Sequence, residues 1–406
     1  MGVVGIATLF GLAILLSSDR RRINLRTVSL AFGLQVAIAA LILYVPGGDR
    51  VVSAMADGVT YVINYAYVGI EFLFGELGKR KPGAFIFAFH VLPVIVFFAA
   101  LMATLYYLGI MQKVVTVLGG ALHRLLQTSR VESMSAVANI FVGHTEAPLV
   151  VRPYLAAMTQ SELFAVMTVG MATIAGAVMA GYAAMGIDVK YLLTASFMGA
   201  PGGLLMAKIM MPETDYRDPK LDDAQYGDAT RPVNVFEAIG NGARDGLFLA
   251  LNVGAMLLAF IALIALLNGM IGGAGSLFGY EGLTFEKILG AMLAPLAFAL
   301  GVPWNEAAAA GSLIGQKLVV NEFLAYVNFV QVKEQLSAHT QVIITFALCG
   351  FANLSSIAMM LGGLGSLVPE RRSDVARMGL RAVVAGSLAN LMSGALAGLF
   401  FALQSR

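Results

Sequence analysis

The sequence predicts an all-α polytopic membrane protein with eight transmembrane helices. Hydrophobic residues make up 59% of its 406 residues and charged residues 12%, and the mean hydropathy is +0.82. The apolar residues are gathered into runs that reach the roughly 20 residues a helix needs to cross a bilayer. The net charge is +2 and the basic residues form no single patch, so nucleic-acid binding is not expected.

Eight apolar runs are long enough for tilted helices across the membrane. They are residues 2–18, 27–46, 84–110, 160–185, 189–211, 244–270, 341–367 and 376–403. The first run has no basic segment before it and no convincing small-residue cleavage site, which predicts a span and not a removed signal peptide. Residues 51–78 mix acidic and apolar residues, which predicts a helix lying along the membrane interface.

Two further stretches, residues 131–158 and 303–330, are predicted to be re-entrant hairpins, here called hairpin 1 and hairpin 2. Each is long enough for two half-crossings and carries Gly, Asn and Glu in its middle. Irregular backbone is tolerated at membrane depth where protein or a water-filled cavity covers it. We therefore expect both hairpins to lie inside the protein.

Basic residues predict the orientation of the chain. The first and last short loops are rich in arginine, and the positive-inside rule places both of them, with the polar loop 212–234, in the cytoplasm. These arginines are Arg20, Arg21, Arg22, Arg26, Arg371, Arg372 and Arg377. Both termini then lie outside. Lys79, Arg80 and Lys81 fall on the outer side and count against this orientation.

An inverted repeat is predicted from the order of the elements. The order span, short amphipathic segment, hairpin, span, span occurs in residues 84–211 and again in 244–403. An odd number of spans in the first copy inserts the second copy upside down, and inverted repeats are typical of secondary transporters.

The span after each hairpin contains a short polar stretch, Met171–Gly176 in the first copy and Phe351–Ser356 in the second. Such an interruption frees backbone carbonyls at membrane depth, which can bind a small cation or a solute. Packing through small residues is the alternative explanation.

Two polar clusters lie inside apolar sequence, residues 143–148 in hairpin 1 and 315–323 in hairpin 2. A charged residue at the centre of a spanning helix costs roughly 2.5 to 3.5 kcal/mol, so Glu146 and Glu322 need a compensating role. Nearby hydroxyl and amide groups are supplied by Thr145, Asn353, Ser355 and Ser356. Because carboxylates make strong charge-assisted hydrogen bonds, this set suits a solute rich in hydroxyl and amide groups, such as a nucleoside or a sugar.

A sodium site is predicted beside the first interruption. The side chains of Asn139 and Thr173, with the carbonyls of Val142 and Ile174, offer the oxygen ligands found at interrupted transporter helices. The alternative is that Asn139 caps a half-helix.

Other roles remain open for several side chains. Phe351 and Val178 offer flat apolar contact to a ring, or simply pack. His144 can bind solute, carry a proton or hydrogen-bond its neighbours, and Lys317 either neutralises the hairpin glutamates or contacts solute. An intramembrane enzyme would need a nucleophile or a metal cluster. The sequence contains no Gly-X-Ser-X-Gly and no His-Glu-X-X-His pattern, so we do not expect an enzyme.

These residues resemble the concentrative nucleoside transporters. The family pattern Gly-X-Lys-X3-Asn-Glu-Phe is complete in hairpin 2, at Gly315, Lys317, Asn321, Glu322 and Phe323. Residues 143–148, 201–203 and 349–356 also resemble the bacterial members, and the resemblance covers essentially the whole chain.

The resemblance implies a homotrimeric, multi-pass protein of the bacterial inner membrane that imports nucleosides of the uridine and adenosine class by cation symport. Sodium is the expected coupling ion, no other cofactor is expected, and proton coupling is the alternative. Each protomer would combine a scaffold region with a transport region that moves like an elevator. The scaffold is predicted to comprise residues 1–110 and 244–270, and the transport region residues 111–211 and 271–406.

The resemblance also implies roles for individual residues. The nucleobase contacts would be His144, Thr145, Glu146, Val178 and Leu249. The ribose contacts would be Glu322, Asn353 and Ser356, with Phe351 close to the solute. The sodium ligands would be Asn139, the Val142 carbonyl, the Thr173 hydroxyl and the Ile174 carbonyl. The bacterial pattern usually has glutamine where this chain has His144, which leaves the base preference and the coupling ion open.

Overall fold

The regular structure is helical throughout the part of the chain described by the computed structural model, residues 1–79, 85–215, 232–277 and 279–404. The helices of the first half are α1 Gly2–Leu15, α2 Leu25–Leu43, α3 Asp49–Phe74, α4 Phe87–His90, α5 Leu92–Tyr107, α6 Ile110–Leu126, α7 Arg130–Ala138, α8 Gln160–Ala172, α9 Gly176–Ala184 and α10 Val189–Met210. Those of the second half are α11 Val235–Leu277, α12 Phe285–Ala299, α13 Trp304–Val319, α14 Glu322–Val332, α15 Ala338–Leu348, α16 Ser355–Gly362, α17 Leu364–Leu367 and α18 Arg372–Gln404.

Six helical segments among the described residues are long and apolar enough to cross a membrane. They are Leu25–Leu43, Phe87–Tyr107, Gln160–Ala184, Val189–Met210, Val235–Leu277 and Pro369–Gln404. The pair α12 and α13, bent by 115°, makes a seventh if it is one span. The expected count of eight therefore remains a prediction.

The remaining expected spans are shorter or divided. Helix α1 has 14 residues, about 21 Å at 1.5 Å per residue, which is less than the roughly 30 Å hydrocarbon core. The run 341–367 is divided between α15 and α16–α17 by the interruption at 349–354.

Two element boundaries differ from the expectation. The run predicted at 244–270 lies within the 43-residue helix α11, Val235–Leu277, which extends beyond the predicted run at both ends. The helix predicted at 51–78 begins at Asp49 and ends at Phe74 as α3, and its position along the membrane interface stays a prediction. Most of the predicted loop 212–234, with Arg80 and Lys81, lies outside the described residues.

Both predicted interruptions are present. Helix α8 ends at Ala172 and α9 begins at Gly176, and α15 ends at Leu348 before α16 begins at Ser355. We call residues 173–175 the first interruption and residues 349–354 the second.

The re-entrant course of hairpins 1 and 2 stays a prediction. Local sequence explains where the helices in these two stretches begin and end. In hairpin 1, α7 begins at a capping box in which Ser129 and Glu132 each bond the other's backbone N–H. The second arm, Ala147–Ala157, is a 3₁₀ helix that contains Pro153, because proline removes a donor and disfavours a regular α-helix. In hairpin 2, the Asn321 side chain accepts a hydrogen bond from the Leu324 N–H at 2.8 Å and so caps α14.

Small residues allow the central helices to pack closely. Helix α18 packs against α8, α10 and α15, and a Cβ atom at Gly386 would lie 2.9 Å from the Met171 Cβ. Helix α5 packs along α11, where a Cβ atom at Gly246 would lie 2.7 Å from the Ala99 Cβ. Helices α1 and α2 also pack against α18 and α10. The predicted division into scaffold and transport regions stays a prediction.

Candidate binding site where two hairpins meet two interrupted helices

The two interrupted helices are joined at their interruptions. The Phe351 N–H of the second interruption donates to the Thr173 carbonyl of the first at 3.2 Å. These groups have no partner within their own helices, so each interruption satisfies part of the other. The inverted repeat itself stays a prediction.

Each hairpin is bonded to one interruption. The Gly176 N–H, just after the first interruption, donates to the Phe141 carbonyl of hairpin 1 at 3.0 Å. The Leu354 N–H of the second interruption donates to the Leu318 carbonyl of hairpin 2 at 3.3 Å. Backbone hydrogen bonds therefore link the two hairpins and the two interruptions, which are separate in sequence.

The carboxylate of Glu322 is held from two sides. Its Oε1 accepts a hydrogen bond from the Tyr182 hydroxyl at 3.1 Å, and its Oε2 accepts one from Asn353 Nδ2 at 2.9 Å. The side chain is 4% exposed. A carboxylate has about four acceptor positions, so both oxygens keep lone pairs for a solute hydroxyl.

The amide of Asn353 connects Glu322 to the start of α16. Its Oδ1 accepts hydrogen bonds from the Ser356 N–H at 2.9 Å and from the Ser355 hydroxyl at 2.6 Å. The Ser356 hydroxyl donates to the Phe351 carbonyl. Of the predicted ribose contacts, Glu322, Asn353 and Ser356 thus form one bonded network.

His144 lies at the tip of hairpin 1 and is buried. It is 5% exposed, and neither ring nitrogen has a hydrogen-bond partner among the described residues. Its ring meets that of Phe351 edge to face, with the centroids 5.0 Å apart. Leaving a buried polar atom unpaired costs about 1 to 3 kcal/mol, so these nitrogens are suited to receive a polar ligand.

The other predicted nucleobase contacts near His144 are two residues of hairpin 1 and one of α9, and their surroundings differ from those of His144. The Glu146 side chain is exposed, and its Oε2 accepts a weak hydrogen bond from the Gly143 N–H at 3.4 Å. Thr145 lies against Gly363, where a Cβ atom would be 2.8 Å from the Thr145 Cγ2. Val178 is buried in α9.

A cavity of about 430 Å³ separates hairpin 1 from α5 and α11. This volume lies within the range of small-molecule sites. Of the predicted residues, Val142, Glu146 and Leu249 line it. Asp245 of α11 lines it as well and was not predicted.

The four oxygen atoms predicted to bind sodium belong to the first interruption and to hairpin 1. Asn139 Nδ2 donates to the Ser135 carbonyl at 3.0 Å, while its Oδ1 is buried and has no hydrogen-bond partner among the residues that the structure describes. The Thr173 hydroxyl donates to the Val169 carbonyl at 2.9 Å and keeps its own lone pairs. Among the described residues no hydrogen bond reaches the carbonyl oxygens of Val142 and Ile174. This set of hard, neutral oxygens suits sodium.

Lys317 lies at the second interruption. Its Nζ donates to the Ala347 carbonyl at 2.8 Å and to Asn390 Oδ1 at 2.7 Å. Both acceptors are neutral oxygens and neither belongs to a hairpin glutamate. Asn390 Nδ2 in turn donates to the carbonyls of Ala172 at 2.7 Å and Cys349 at 2.8 Å.

Sequence reasoning missed Tyr182, Asn390 and Asp245. A side-chain amide in the apolar part of a membrane helix is a signal of function, and Asn390 in α18 carries that signal. Tyr182 carries none, because a tyrosine in an apolar helix is also ordinary packing.

Family models match nearly the whole chain. The models described as "Na+ dependent nucleoside transporter" match residues 4–77 at the N-terminus and 191–398 at the C-terminus. The model described as "Nucleoside recognition" matches residues 88–188 between them.

The bacterial curated relatives are similar over nearly their whole length, and the mammalian one is similar over part of its length. "Nucleoside permease NupC" of Helicobacter pylori is 52% identical over 413 residues, covering 99% of this chain and 98% of the relative. An "Uncharacterized transporter" of Haemophilus influenzae is 56% identical over 409 residues, covering 99% and 97%. "Sodium/nucleoside cotransporter 1" of Mus musculus is 38% identical over 403 residues, which are 95% of this chain and 61% of that protein.

Solved structures of the transporter CNTnw share the fold. Its inward-facing substrate-bound state has a TM-score of 0.94 and 53% identity, covering 100% of this chain and 98% of that one. A variant in an outward-facing state has a TM-score of 0.95 and 54% identity, covering 99% and 98%.

Proposed function

This chain belongs to the Na+-dependent nucleoside transporter family, and from that premise we propose that it imports nucleosides together with sodium ions across a bacterial inner membrane. It is an integral membrane protein, and the relatives named above are transporters and permeases. The proposal extends the family assignment to the direction of transport, the coupling ion and the residues that carry them.

The Glu322 network is the observation that carries the proposal. A buried carboxylate bonded by Tyr182 and Asn353 has spare lone pairs and a fixed orientation. Ribose hydroxyls are donors that such a carboxylate binds through charge-assisted hydrogen bonds, which are about twice as strong as neutral ones. Ser356, bonded to the same amide, completes the proposed ribose contacts.

The nucleobase is proposed to lie against the tip of hairpin 1. The unpaired nitrogens of His144 supply one donor and one acceptor in the neutral ring, and Thr145 and Glu146 add further polar groups. The Phe351 ring lies beside His144 and is proposed to contact the solute. Val178 and Leu249 are proposed as the apolar wall.

Sodium is proposed to bind Asn139, Thr173 and the carbonyls of Val142 and Ile174. The unpaired Asn139 Oδ1 supports this assignment. Because these ligands come from hairpin 1 and the first interruption, the ion would draw them together and orient the adjacent His144 for the nucleobase. One charge moving through 100 mV provides about 2.3 kcal/mol, nearly two decades of solute accumulation.

A second candidate is proton coupling, which His144 favours. A histidine can change its charge in the physiological pH range, whereas the glutamine usual at this position cannot. In this version His144 would carry the proton.

The transport cycle is proposed to be elevator-like, in a homotrimer whose protomers each have their own site. The cavity between hairpin 1 and α11 lies near the start of α11 and beside Pro232, close to the predicted cytoplasmic loop. This placement supports an inward-facing state, in which the cavity is the exit path for the nucleoside.

Uptake into proteoliposomes tests the proposal. Labelled uridine and adenosine are supplied under an inward sodium gradient, under choline at the same pH, and under an inward proton gradient without sodium. Accumulation driven by sodium supports the proposal. Accumulation driven only by protons supports the second candidate. If neither gradient drives any uptake, the nucleoside assignment is contradicted. Cross-linking of the purified protein in detergent tests the trimer.

A further inference from the structure

The tip of hairpin 1 is in close contact with two glycines, one from each half of the chain. Gly170 lies in α8, and a Cβ atom there would lie 2.7 Å from the His144 Cβ. Gly363 joins α16 to α17, and a Cβ atom there would lie 2.8 Å from the Thr145 Cγ2. Non-bonded carbon atoms pack best at about 3.5 to 4.0 Å, so an alanine at either position would force the tip to move.

Backbone conformation does not require either glycine. Gly170 and Gly363 are absent from the glycines with a positive φ, so an alanine could adopt both conformations without strain. In the interior of a helix such as α8, glycine is less favourable than alanine. The absence of a side chain at these two positions is therefore explained by their contact with hairpin 1.

The contact at Gly170 fixes the backbone of His144. The position of a Cβ atom at Gly170 is 2.7 Å from the His144 Cβ and 3.5 Å from its Cα, and these atoms move only with the backbone. The third neighbour, the Met360 Cε at 2.9 Å, is the end of a flexible side chain. Both ring nitrogens of His144 are buried and have no hydrogen-bond partner within the described part of the chain. A displacement of the tip would therefore carry these two nitrogens with it.

Open space lies on the other side of hairpin 1. The cavity of about 430 Å³ separates the hairpin from α5 and α11, and Val142 and Glu146 of the hairpin line it. The two glycines lie in α8 and at the end of α16, and packed helices yield little. A methyl group at either glycine would therefore displace the tip away from these helices, toward the space that is proposed for the solute.

We propose that Gly170 and Gly363 are positioning residues for the nucleobase, which set how far hairpin 1 projects toward the solute and thereby how large a base fits. This inference rests on the proposed nucleoside transport. The two glycines act through His144 and Thr145, the proposed nucleobase contacts, without touching the solute. Because Glu322 holds the ribose in that proposal, a shift of the tip changes the space left for the base.

Alanine at each glycine tests the inference. A purine has one ring more than a pyrimidine, so adenosine is more sensitive than uridine to a smaller space. We expect the ratio of kcat/KM for adenosine to that for uridine to fall about tenfold in Gly170→Ala and in Gly363→Ala, the lower end of the effect of one methylene in a binding pocket. Gly362→Ala is the matched control with an unchanged ratio, because no described atom lies within 4 Å of its added Cβ atom.

A second substitution distinguishes positioning from a general loss of stability. Thr145→Ser removes the Cγ2 atom that lies nearest to the Cβ position of Gly363 and keeps the hydroxyl group. Combined with Gly363→Ala, it should return the adenosine-to-uridine ratio toward that of Thr145→Ser alone. Combined with Gly170→Ala, which presses on His144, it should not. Restoration in both double variants, or in neither, overturns the inference.

The variants are compared in proteoliposomes after size-exclusion chromatography has shown that each is folded. Unchanged ratios in the folded glycine variants, or an equal loss of both nucleosides, overturn the inference and leave the proposed function intact. If neither glycine variant folds, Thr145→Ser decides, because a tip that is free to approach Gly363 should raise the ratio, and an unchanged ratio overturns the inference. Absence of nucleoside uptake by the wild-type protein overturns both.

Discussion

Glu322 is the residue on which solute binding is expected to depend most, because of its carboxylate. Its two oxygens each receive a donor from the protein, so the charge is compensated before any solute arrives. A glutamine there would turn an amide N–H₂ toward one of these donors. Two facing donors cannot bond each other, and the ribose would lose a charged acceptor.

We expect Glu322→Gln to abolish measurable uptake, a loss of at least about a hundredfold in kcat/KM, or about 2.7 kcal/mol. The protein should remain folded. Glu334→Gln, at an exposed site after the same hairpin arm, is the matched control and should transport normally. Tyr182→Phe removes one donor and should cost about tenfold in KM, because the packed rings of Phe323 and Tyr326 keep its position. Normal uptake by Glu322→Gln would contradict the ribose contact.

Sodium dependence is expected to reside in Asn139. Asn139→Ala removes the unpaired Oδ1 and should raise the sodium concentration for half-maximal uptake at least about tenfold, since a hydrogen-bond-sized ligand contributes about 1.4 kcal/mol. Asn139→Asp keeps an oxygen and should retain coupling. Unchanged sodium dependence in Asn139→Ala would remove this residue from the ion site.

His144 is expected to set base preference and to decide between the two coupling ions. In His144→Gln, the donor and acceptor are placed differently, so the ratio of adenosine to uridine uptake should change while sodium coupling remains. Competition between the two labelled nucleosides measures this ratio. If uptake driven by a proton gradient is present in the wild type and disappears in His144→Gln, the proton-coupled candidate is supported instead.

At the scale of elements, the interruptions carry the site because they bring backbone groups and short polar side chains to one place. The position of Asn390 depends on Gly350, where a Cβ atom would meet Oδ1 at 2.3 Å. This amide bonds three other groups. A small structural change at the second interruption should therefore also alter the hydrogen bonding at the first.

We expect Gly350→Ala to lower the melting temperature and uptake together, with a destabilisation of about 1 to 3 kcal/mol from overpacking. Gly362→Ala is the control, because no atom of the described part of the chain lies within 4 Å of its added Cβ atom. Both can be compared by thermal unfolding followed by fluorescence and by uridine uptake. Equal behaviour of the two variants would argue against a tightly packed interruption.

At the scale of the whole molecule, the position of the cavity predicts from which side of the membrane solutes can reach the proposed site. Leu249 lines it, and the native Cys349 is buried. Leu249→Cys should therefore react with a membrane-impermeant thiol reagent from the cytoplasmic side, lose uptake, and be protected by uridine. Leu247→Cys, exposed on the same helix but outside the cavity lining, is the control. Reaction from the outer side alone would contradict the inward-facing assignment.

Local sequence was sufficient for several features of this protein. Composition and apolar runs predicted an all-helical membrane protein, since burial in lipid requires both apolar side chains and internally bonded backbone. Polar and small residues predicted the two interruptions, and the hairpin 2 pattern predicted the family, all of which are confirmed. These features depend on neighbouring residues, and so they can be read along the chain.

Tertiary structure decided which groups meet. Tyr182 and Glu322 are 140 residues apart, and Lys317 and Asn390 are 73 apart, so no local pattern links either pair. The cavity with Asp245 likewise needs α5, α11 and hairpin 1 together. Sequence by itself determined the class of protein and the candidate residues. The partners of each buried polar group followed from the fold, because a hydrogen bond depends on distance in space and not on separation along the chain.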